Sequence, residues 1–570
     1  MVFQPRRSYL LAFTKRPVHL ARLTGIAFLL AAAGCGDDSQ PAGDTDGDSS
    51  ASDDGPTTGQ TPLPTATDSG PTPTTGADST GDDDTTSADS TGDDDTGSTG
   101  GEKGYGGNII IPELLDANEF DLTMDEGTHT FTADGRPSDT AGYNGDLLGP
   151  TMVWTQGEDI SISLTNDLAG ASTTHWHGAH VSPENDGGPH QMIAAGGGVW
   201  NPAFEVLNAA STMWYHPHLH EQTANHVRSG LSGFIIVRDA VESALDLPRE
   251  YGIDDLPLVL QDKQLDDNGV LQAAPDRGNT MTVNGAADAF KEVPAQFVRL
   301  RLLNGSLELA YHLEFSDGRQ FHVIGNDLGL LEAPVAVTSL RLAPGERYEV
   351  AVDFGDDEGE SVTLQALNTQ LEMGVIGGPG PMVQGIEGTD FDVIRFDVEE
   401  PTGTGTTELP AALTTHAIPS EVGAVAHPMV MQDAMPGFSL NGAVMDMQVI
   451  NEYVEGDTTE IWSISNETML AHPFHIHDVH FFVLDHDPDS AGPMPATAVE
   501  DWEAGPKDTV LVLPGETVRF IAEFNDFAFD PADGIAQAAY MYHCHILPHE
   551  DGGMMGQFAV CPPGNQTCEP

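Results

Sequence analysis

From Tyr105 to the C-terminus, short apolar runs alternate with turns rich in Gly, Pro, Asn and Asp. Runs of that length, bounded by turn residues, read as strands. Asp159–Leu164, Phe234–Val237, Leu256–Leu260, Phe297–Leu303 and Thr509–Leu513 are clear examples. The apolar spacing of an amphipathic helix is hard to find over any long window. Pro-Gly-Glu occurs at residues 344–346 and again at 514–516, each time opening an apolar run. That recurrence points to a repeated sandwich unit. The pattern predicts an all-β body.

The first 104 residues follow different rules. Arg6, Arg7, Lys15, Arg16 and Arg22 precede an apolar run, 25–33, that is too short to span a membrane. The run ends at Gly34-Cys35, which resembles a bacterial lipoprotein cleavage site. Residues 1–35 are therefore expected to direct export to the periplasm or cell surface, with a lipid anchor on the outer membrane as the membrane contact. An ordinary signal peptide with an incidental cysteine is the alternative. Residues 36–102 contain no Lys, Arg or His and are dominated by Asp, Ser, Thr, Gly and Pro. So little apolar surface cannot offset the entropy of ordering, so 36–104 is expected to be a disordered acidic tether. The Asp spacing lacks the loop-closing Glu of an EF-hand.

Charge and cysteine use narrow the class further. Of the net charge of -68, residues 1–35 contribute +5 and residues 36–102 contribute -17, leaving -56 on the body. A body that acidic repels nucleic acid and anionic surfaces, so no nucleic-acid partner is expected. It suits a saline habitat, where screening weakens self-repulsion, or attraction of cationic substrates. The chain has four cysteines. Cys561 and Cys568 are close enough in sequence to close a short disulfide loop in an oxidising compartment. Cys544 stands apart from that pair.

The chemistry gathers in four clusters: His175-Trp176-His177, His216-Pro217-His218, His472-Pro473-Phe474-His475-Ile476-His477, and His543-Cys544-His545 followed by His549 and Met554. On a strand, Cys544 faces one side while His543 and His545 face the other. A thiolate with two histidines and a weak methionine is the donor set of a blue-copper site. The two flanking histidines then serve a different metal on the opposite face. One His-x-His among 22 histidines would mean little; four clusters, one built around a cysteine, mean a metal machine.

These motifs resemble those of the bacterial multicopper oxidases, the family of laccases, cuprous oxidases and bilirubin oxidases. The resemblance runs over roughly residues 105–562, by the usual size of such cores. It implies three cupredoxin-like Greek-key β-sandwich domains, expected at 105–245, 246–400 and 401–570. It also implies four copper ions. His472, Cys544 and His549, with Met554 axial, would hold type 1 copper. His175 and His475 would hold type 2, and His177, His216, His218, His477, His543 and His545 the type 3 pair. No ligand position is substituted, which argues against relatives that keep the fold without copper as structural or cell-division factors. The implied activity is one-electron oxidation of phenolic or metal-ion substrates coupled to reduction of dioxygen to water. The domain without ligands reads as a spacer, and a monomer is expected.

Asp186 and Glu550 occupy the family's two proton-relay positions; orienting a ligand histidine is the competing role for each. His180, His190, His220, His226, His480 and His486 crowd the motifs but are not taken as ligands. The chain departs from the family at Glu221 and Asp478, where glycine is common. Laccase-like oxidation of phenols is the family default. Met429, Met431, Met435, Met445 and Met447 raise the cuprous-oxidase alternative, because thioethers favour Cu(I). The competing reading is that these methionines fill core gaps. A non-enzymatic copper store or electron carrier would not need the second, histidine-only set.

Overall fold

The computed structural model describes residues 107–566 and 568, apart from 382, 436, 489–496 and 531–533. The export segment, Cys35 and the acidic tether lie outside the described residues. All five expected strands form, as Asp159–Asn166, Gly233–Arg238, Asp255–Lys263, Phe297–Asn304 and Thr509–Val512. In Asp159–Asn166 the alternation works as expected: Ile160, Ile162 and Leu164 are buried, and Asp159 and Ser161 are exposed. Cys561 and Cys568 are disulfide-bonded.

The strands make six sheets, two in each third of the described chain. In the first third, a sheet ordered Leu114–Asp116, Thr151–Thr155, Gly233–Arg238, Ser211–His216, His175–His177 packs on one built around Glu119–His129 and Asp159–Asn166. The middle third pairs a seven-stranded sheet, with Phe297–Asn304 and Arg347–Asp353 inside it, with a six-stranded one. The last third repeats the two-sheet plan; one sheet runs Glu452–Glu455, Met555–Cys561, Tyr540–Cys544, His472–Ile476, Thr509–Val512. Ligand motifs thus fall on the outer thirds, at adjacent strands of one sheet each.

A repeated asparagine marks the equivalence of the three units. Asn166, Asn304 and Asn466 are buried at strand ends. Each accepts the main-chain N–H two residues on, at Leu168, Ser306 and Thr468. Each also donates its amide to two carbonyls: Gly170 and Ile193, Leu309 and Leu342, Leu470 and Val512. Buried main-chain groups at a strand end need partners, and one amide supplies three. The two Pro-Gly-Glu turns are equally alike. Gly345 and Gly515 have φ of 84° and 80°. Glu346 and Glu516 each accept a main-chain N–H at 2.7 Å, from Ala343 and Leu513.

The strand Phe297–Asn304 is buried on both faces although its pattern alternates apolar and charged. Its second face carries Arg299 and Arg301, both fully buried. They are paired with Glu349, Asp255 and Glu242, and Arg301 also donates to Thr212 of the first unit at 2.7 Å. Buried guanidinium survives only with such complete pairing.

His486 ties the last Pro-Gly-Glu turn down: its two nitrogens lie 3.0 Å from Glu503 and 3.0 Å from Glu516. Burial opposes its charge, but the two carboxylates outweigh burial and hold its pKa up to about 10. His427, between Glu452 and Glu460, is held up to about 9 against the same penalty. A folded pKa above the unfolded one stabilises the fold fully below about pH 6.5 and withdraws that stability as pH rises through the folded value. Thermal melts should therefore show stability declining towards pH 10. His486→Gln should cost about 1.5–3 kcal/mol near pH 6, the size of charge-assisted hydrogen bonds, and flatten the decline.

Candidate metal centre

Strand register brings the four motifs together. His175–His177 pairs antiparallel with Ser211–His216, setting His175 opposite His216. His472–Ile476 pairs with Tyr540–Cys544, setting His475 opposite His543 and Phe474 opposite Cys544. The two strand pairs then interleave across units: His177 stacks on His475 at 3.7 Å and His175 on His477 at 3.8 Å, nearly parallel. Ligand atoms of His177, His216 and His545 lie within 4.8 Å of one another, as do those of His218, His477 and His543, and those of His175, His177 and His475.

Which nitrogens face inward is set by what the outer ones touch. Carbonyls can only accept, so His175, His216 and His475 donate Nδ1–H to the carbonyls of Asp186, Pro217 and Asp508, at 2.8, 2.9 and 2.9 Å. Their Nε2 atoms are buried without a protein partner, as is Nδ1 of His177. Nε2 of His543 lies 3.1 Å from that of His218 and 3.4 Å from that of His477. Converging lone pairs of this kind fit a shared cation.

On the other face of Tyr540–Cys544, the Cys544 sulfur lies 3.4 Å from His472 Nδ1 and 3.8 Å from His549 Nδ1. Met554 is buried in the apolar cluster that contains Cys544, whereas Met555 sits opposite His543 in the ladder and packs with Met541 in a separate cluster. The outer nitrogen of His472 meets Thr468 Oγ1 at 2.8 Å. His549 is half-buried, and Phe438 packs across both histidines, at 4.9 and 4.5 Å.

The electrostatics suit cation binding. Burial first, then repulsion from neighbouring imidazoles, drives His177, His216, His218, His472, His475, His543 and His545 well below the ordinary histidine value. Burial brings His477 and His549 down to about 4. All of these offer lone pairs at neutral pH. Burial pushes the Cys544 thiol up, so a bound cation is what would make it a thiolate. The donor set, soft sulfur on one side and imidazole on the other, fits copper.

Both expected carboxylates touch this cluster, in different ways. Asp186 accepts from His477 Nδ1 at 2.8 Å, and its other oxygen faces His175 Nδ1 at 3.4 Å. Glu550 lies 3.4 Å from His218 Nδ1 and 3.2 Å from His543 Nδ1, and accepts the Thr223 hydroxyl at 2.8 Å. Burial, reinforced by Asp551, raises Glu550 well above the carboxylate range. Asp551 also accepts from the N–H groups of Thr223 and Ala224, joining the short helices Thr223–Ser229 and Leu547–Asp551.

Three family models described as multicopper oxidase match residues 125–242, 258–369 and 425–564. The multicopper oxidase mco of Staphylococcus haemolyticus is 30% identical over 468 residues, covering 79% of this chain and 92% of that protein. The chain belongs to the multicopper oxidase family. The cell division protein FtsP of Photorhabdus laumondii is 32% identical over 467 residues, covering 80% of this chain and 92% of that protein. Among solved structures, a laccase-like multi-copper oxidase CueO from the lignin-degrading bacterium Ochrobactrum sp. is 31% identical with a TM-score of 0.69, covering 79% of this chain and all of that one. Family membership supports an oxidoreductase and implies copper binding.

Within the multicopper oxidase frame, the two departures have a backbone signature. Glu221 and Asp478 adopt φ of 66° and 72°, the left-handed region that costs glycine nothing. Asp478 is buried and accepts from His180 Nδ1 at 2.8 Å; burial works against the charge of His180, but Asp478 outweighs it and holds His180 up to about 9. His180 and His486 are thus occupied by carboxylates, and His190 by Gln557. None of the six set-aside histidines joins a converging donor group among the described residues.

For four of the five methionines the core-packing reading holds, and the cuprous-oxidase alternative loses their support. Met429 and Met431 are fully buried in the main core, because strand Val425–Asp433 turns their thioethers inward; Met445 is buried and Met447 half-buried in a separate cluster. Of the five, Met435 alone is exposed. Motif reading also missed Thr468, Thr223, Arg347 and Asp508. The last two sit in Gly-Glu-Arg and Lys-Asp-Thr runs that abut apolar strands, where buried charge is the available signal.

Met554 and Met555 can be told apart by redox titration of the copper-loaded protein. Met554→Leu should raise the potential of the Cys544 centre, because an apolar side chain in place of the weak, long axial donor makes the pocket less polar and so disfavours the more highly charged Cu(II). Met555→Leu should leave the potential in place. A shift in the second variant and none in the first would move the axial position to Met555.

Proposed function

We propose that the chain is a laccase-like multicopper oxidase, oxidising small phenolic donors one electron at a time and reducing dioxygen to water. The observation that carries this reading is the juxtaposition of two complete donor sets on opposite faces of one strand. His472, Cys544 and His549, with Met554 axial, make the type 1 set. His175 and His475 make the type 2 set, and His177, His216, His545, His218, His477 and His543 the type 3 pair. Copper bound in these sets would supply the electron acceptance and the delivery of electrons to dioxygen.

The side chains divide the remaining work. His549 presents a half-buried imidazole edge beside Phe438, the edge of the type 1 set nearest solvent in this reading. Cys544 and the histidines on either side of it connect the two sets through three consecutive residues. Asp186, with a carboxylate oxygen on His477, its carbonyl on His175 and its other carboxylate oxygen facing that ring, holds two imidazoles in place. Glu550 has a hydroxyl neighbour, Thr223, leading away from the cluster, and is the proton donor in this reading. The Cys561–Cys568 disulfide supports an oxidising compartment, in keeping with export.

A second substrate class has its own support. Met373, Met435 and Met469 are 86, 96 and 81% exposed. Met469 follows Thr468, the partner of His472, and the Met373 segment joins it where Ala471 N–H donates to Gly374 at 2.8 Å. Met435 lies three residues before Phe438. Exposed thioethers suit Cu(I) as a substrate.

Oxygen uptake by the copper-loaded full chain, measured in parallel with a substituted phenol and with Cu(I), tests both classes. Phenol-driven uptake is expected, and its absence with both donors would end the oxidase reading. Replacing Met373, Met435 and Met469 together by Leu should lower Cu(I) oxidation and spare phenol oxidation if the second class is used. Cys544→Ser should abolish blue absorption and uptake together. Glu550→Gln should slow reoxidation by dioxygen roughly 10²–10⁴-fold while reduction by phenol stays fast.

A further inference from the structure

Two stacked histidines from different units, His177 and His475, turn opposite nitrogens inward, and both are held by one residue, Asp508. His475 donates Nδ1–H to the Asp508 carbonyl at 2.9 Å and leaves Nε2 free. His177 places Nε2 3.2 Å from Asp508 Oδ1 and leaves Nδ1 free. Thr509 Oγ1 lies 3.3 Å from His475 Nδ1 and 3.4 Å from His177 Nε2, and donates to Asp508 Oδ1 at 2.8 Å.

The carboxylate is itself gripped from the middle unit. Arg347 donates to Oδ1 at 2.7 Å and to Oδ2 at 2.6 Å, a two-pronged contact that leaves both oxygens as acceptors. The same guanidinium donates to the Thr212 carbonyl in the first unit and to the Gly345 and Asp327 carbonyls in its own. Arg347 and Asp508 are 0 and 1% exposed. The space is closed on both sides. A Cβ at Gly178, just after His177, would sit 2.9 Å from Asp508 Oδ2 and 3.0 Å from Arg347; one at Gly345 would sit 2.7 Å from the His545 ring.

We propose that Arg347 and Asp508 are positioning residues for the histidine cluster, selecting opposite tautomers of His177 and His475 so that the first presents Nδ1 and the second Nε2 to copper. An acceptor-only carboxylate beside Nε2 of His177 requires the proton there, and a carbonyl beside Nδ1 of His475 requires it there. The middle unit, which supplies no ligand, thereby acts on the cluster directly. The inference rests on the ligand assignment of His177 and His475 above.

The test uses the full chain with Asp508→Asn and Arg347→Lys. The amide of Asp508→Asn can turn its NH₂ towards His177, which moves the ring proton to Nδ1 and blocks that donor. Copper retained against a competing chelator should weaken roughly 10- to 100-fold at the histidine cluster, with an altered electron paramagnetic resonance signal and unchanged blue absorption. Arg347→Lys keeps a buried cation but loses the fork, and should shift the same signal in the same direction by less. Melting of the copper-free proteins isolates any purely structural effect. If both variants melt lower yet load copper with wild-type stoichiometry and signal, the proposal is overturned. Should Asp508→Asn fail to fold, Arg347→Lys alone decides by the same criterion. Wild-type protein that retains no copper at the cluster would instead overturn the ligand assignment.

Discussion

The stacking of His177 on His475 and of His175 on His477 is the contact on which the rest of this molecule depends. Each pair joins a ring from the first unit to one from the last, so the cluster exists only when both units are docked. Bare imidazole nitrogens are costly to bury without partners. The fold meets that cost at the outer nitrogens of His175, His177, His216, His475 and His477, which donate to backbone carbonyls or carboxylates. The inner nitrogens are left as donors with one direction to face.

That arrangement explains why the middle unit is present at all. It carries none of the motif histidines, yet Arg347 reaches the carboxylate of Asp508, which holds one of them with that carboxylate and another with its carbonyl, and Arg301 reaches Thr212 beside the second motif. Buried arginines in a strand that otherwise reads as core are expensive alone and tolerable when fully paired. Here they replace apolar packing with directional contacts, which fix distance and angle between units more narrowly than apolar surfaces do.

Kinship divides into what the family carries and what the site carries. The cell division protein FtsP and the staphylococcal multicopper oxidases resemble this chain to a similar degree, so overall likeness does not select an activity. The converging donors are what supports the proposed oxidase, because a structural protein has no need of unpaired buried imidazoles opposite a buried thiol. Under the proposed function, substrate choice would lie further out, at the half-buried His549 and at Phe438.

Much was legible in the chain itself. Alternating apolar runs determined the β strands, and His-x-His and His-Cys-His determined the donor types, because both depend on residues two apart on one strand. The turn sequence Pro-Gly-Glu revealed the repeat, although Asn166, Asn304 and Asn466 mark it more fully and share no motif beyond one residue. Only the tertiary structure decided which nitrogen each histidine presents, since that depends on Asp186, Pro217 and Asp508, some of them hundreds of residues away. It also decided that Met429 and Met431 are core while Met373 and Met469 are surface, because burial depends on which face another sheet covers. Local spacing determines chemistry within reach of one strand; contacts between units determine how that chemistry is aimed.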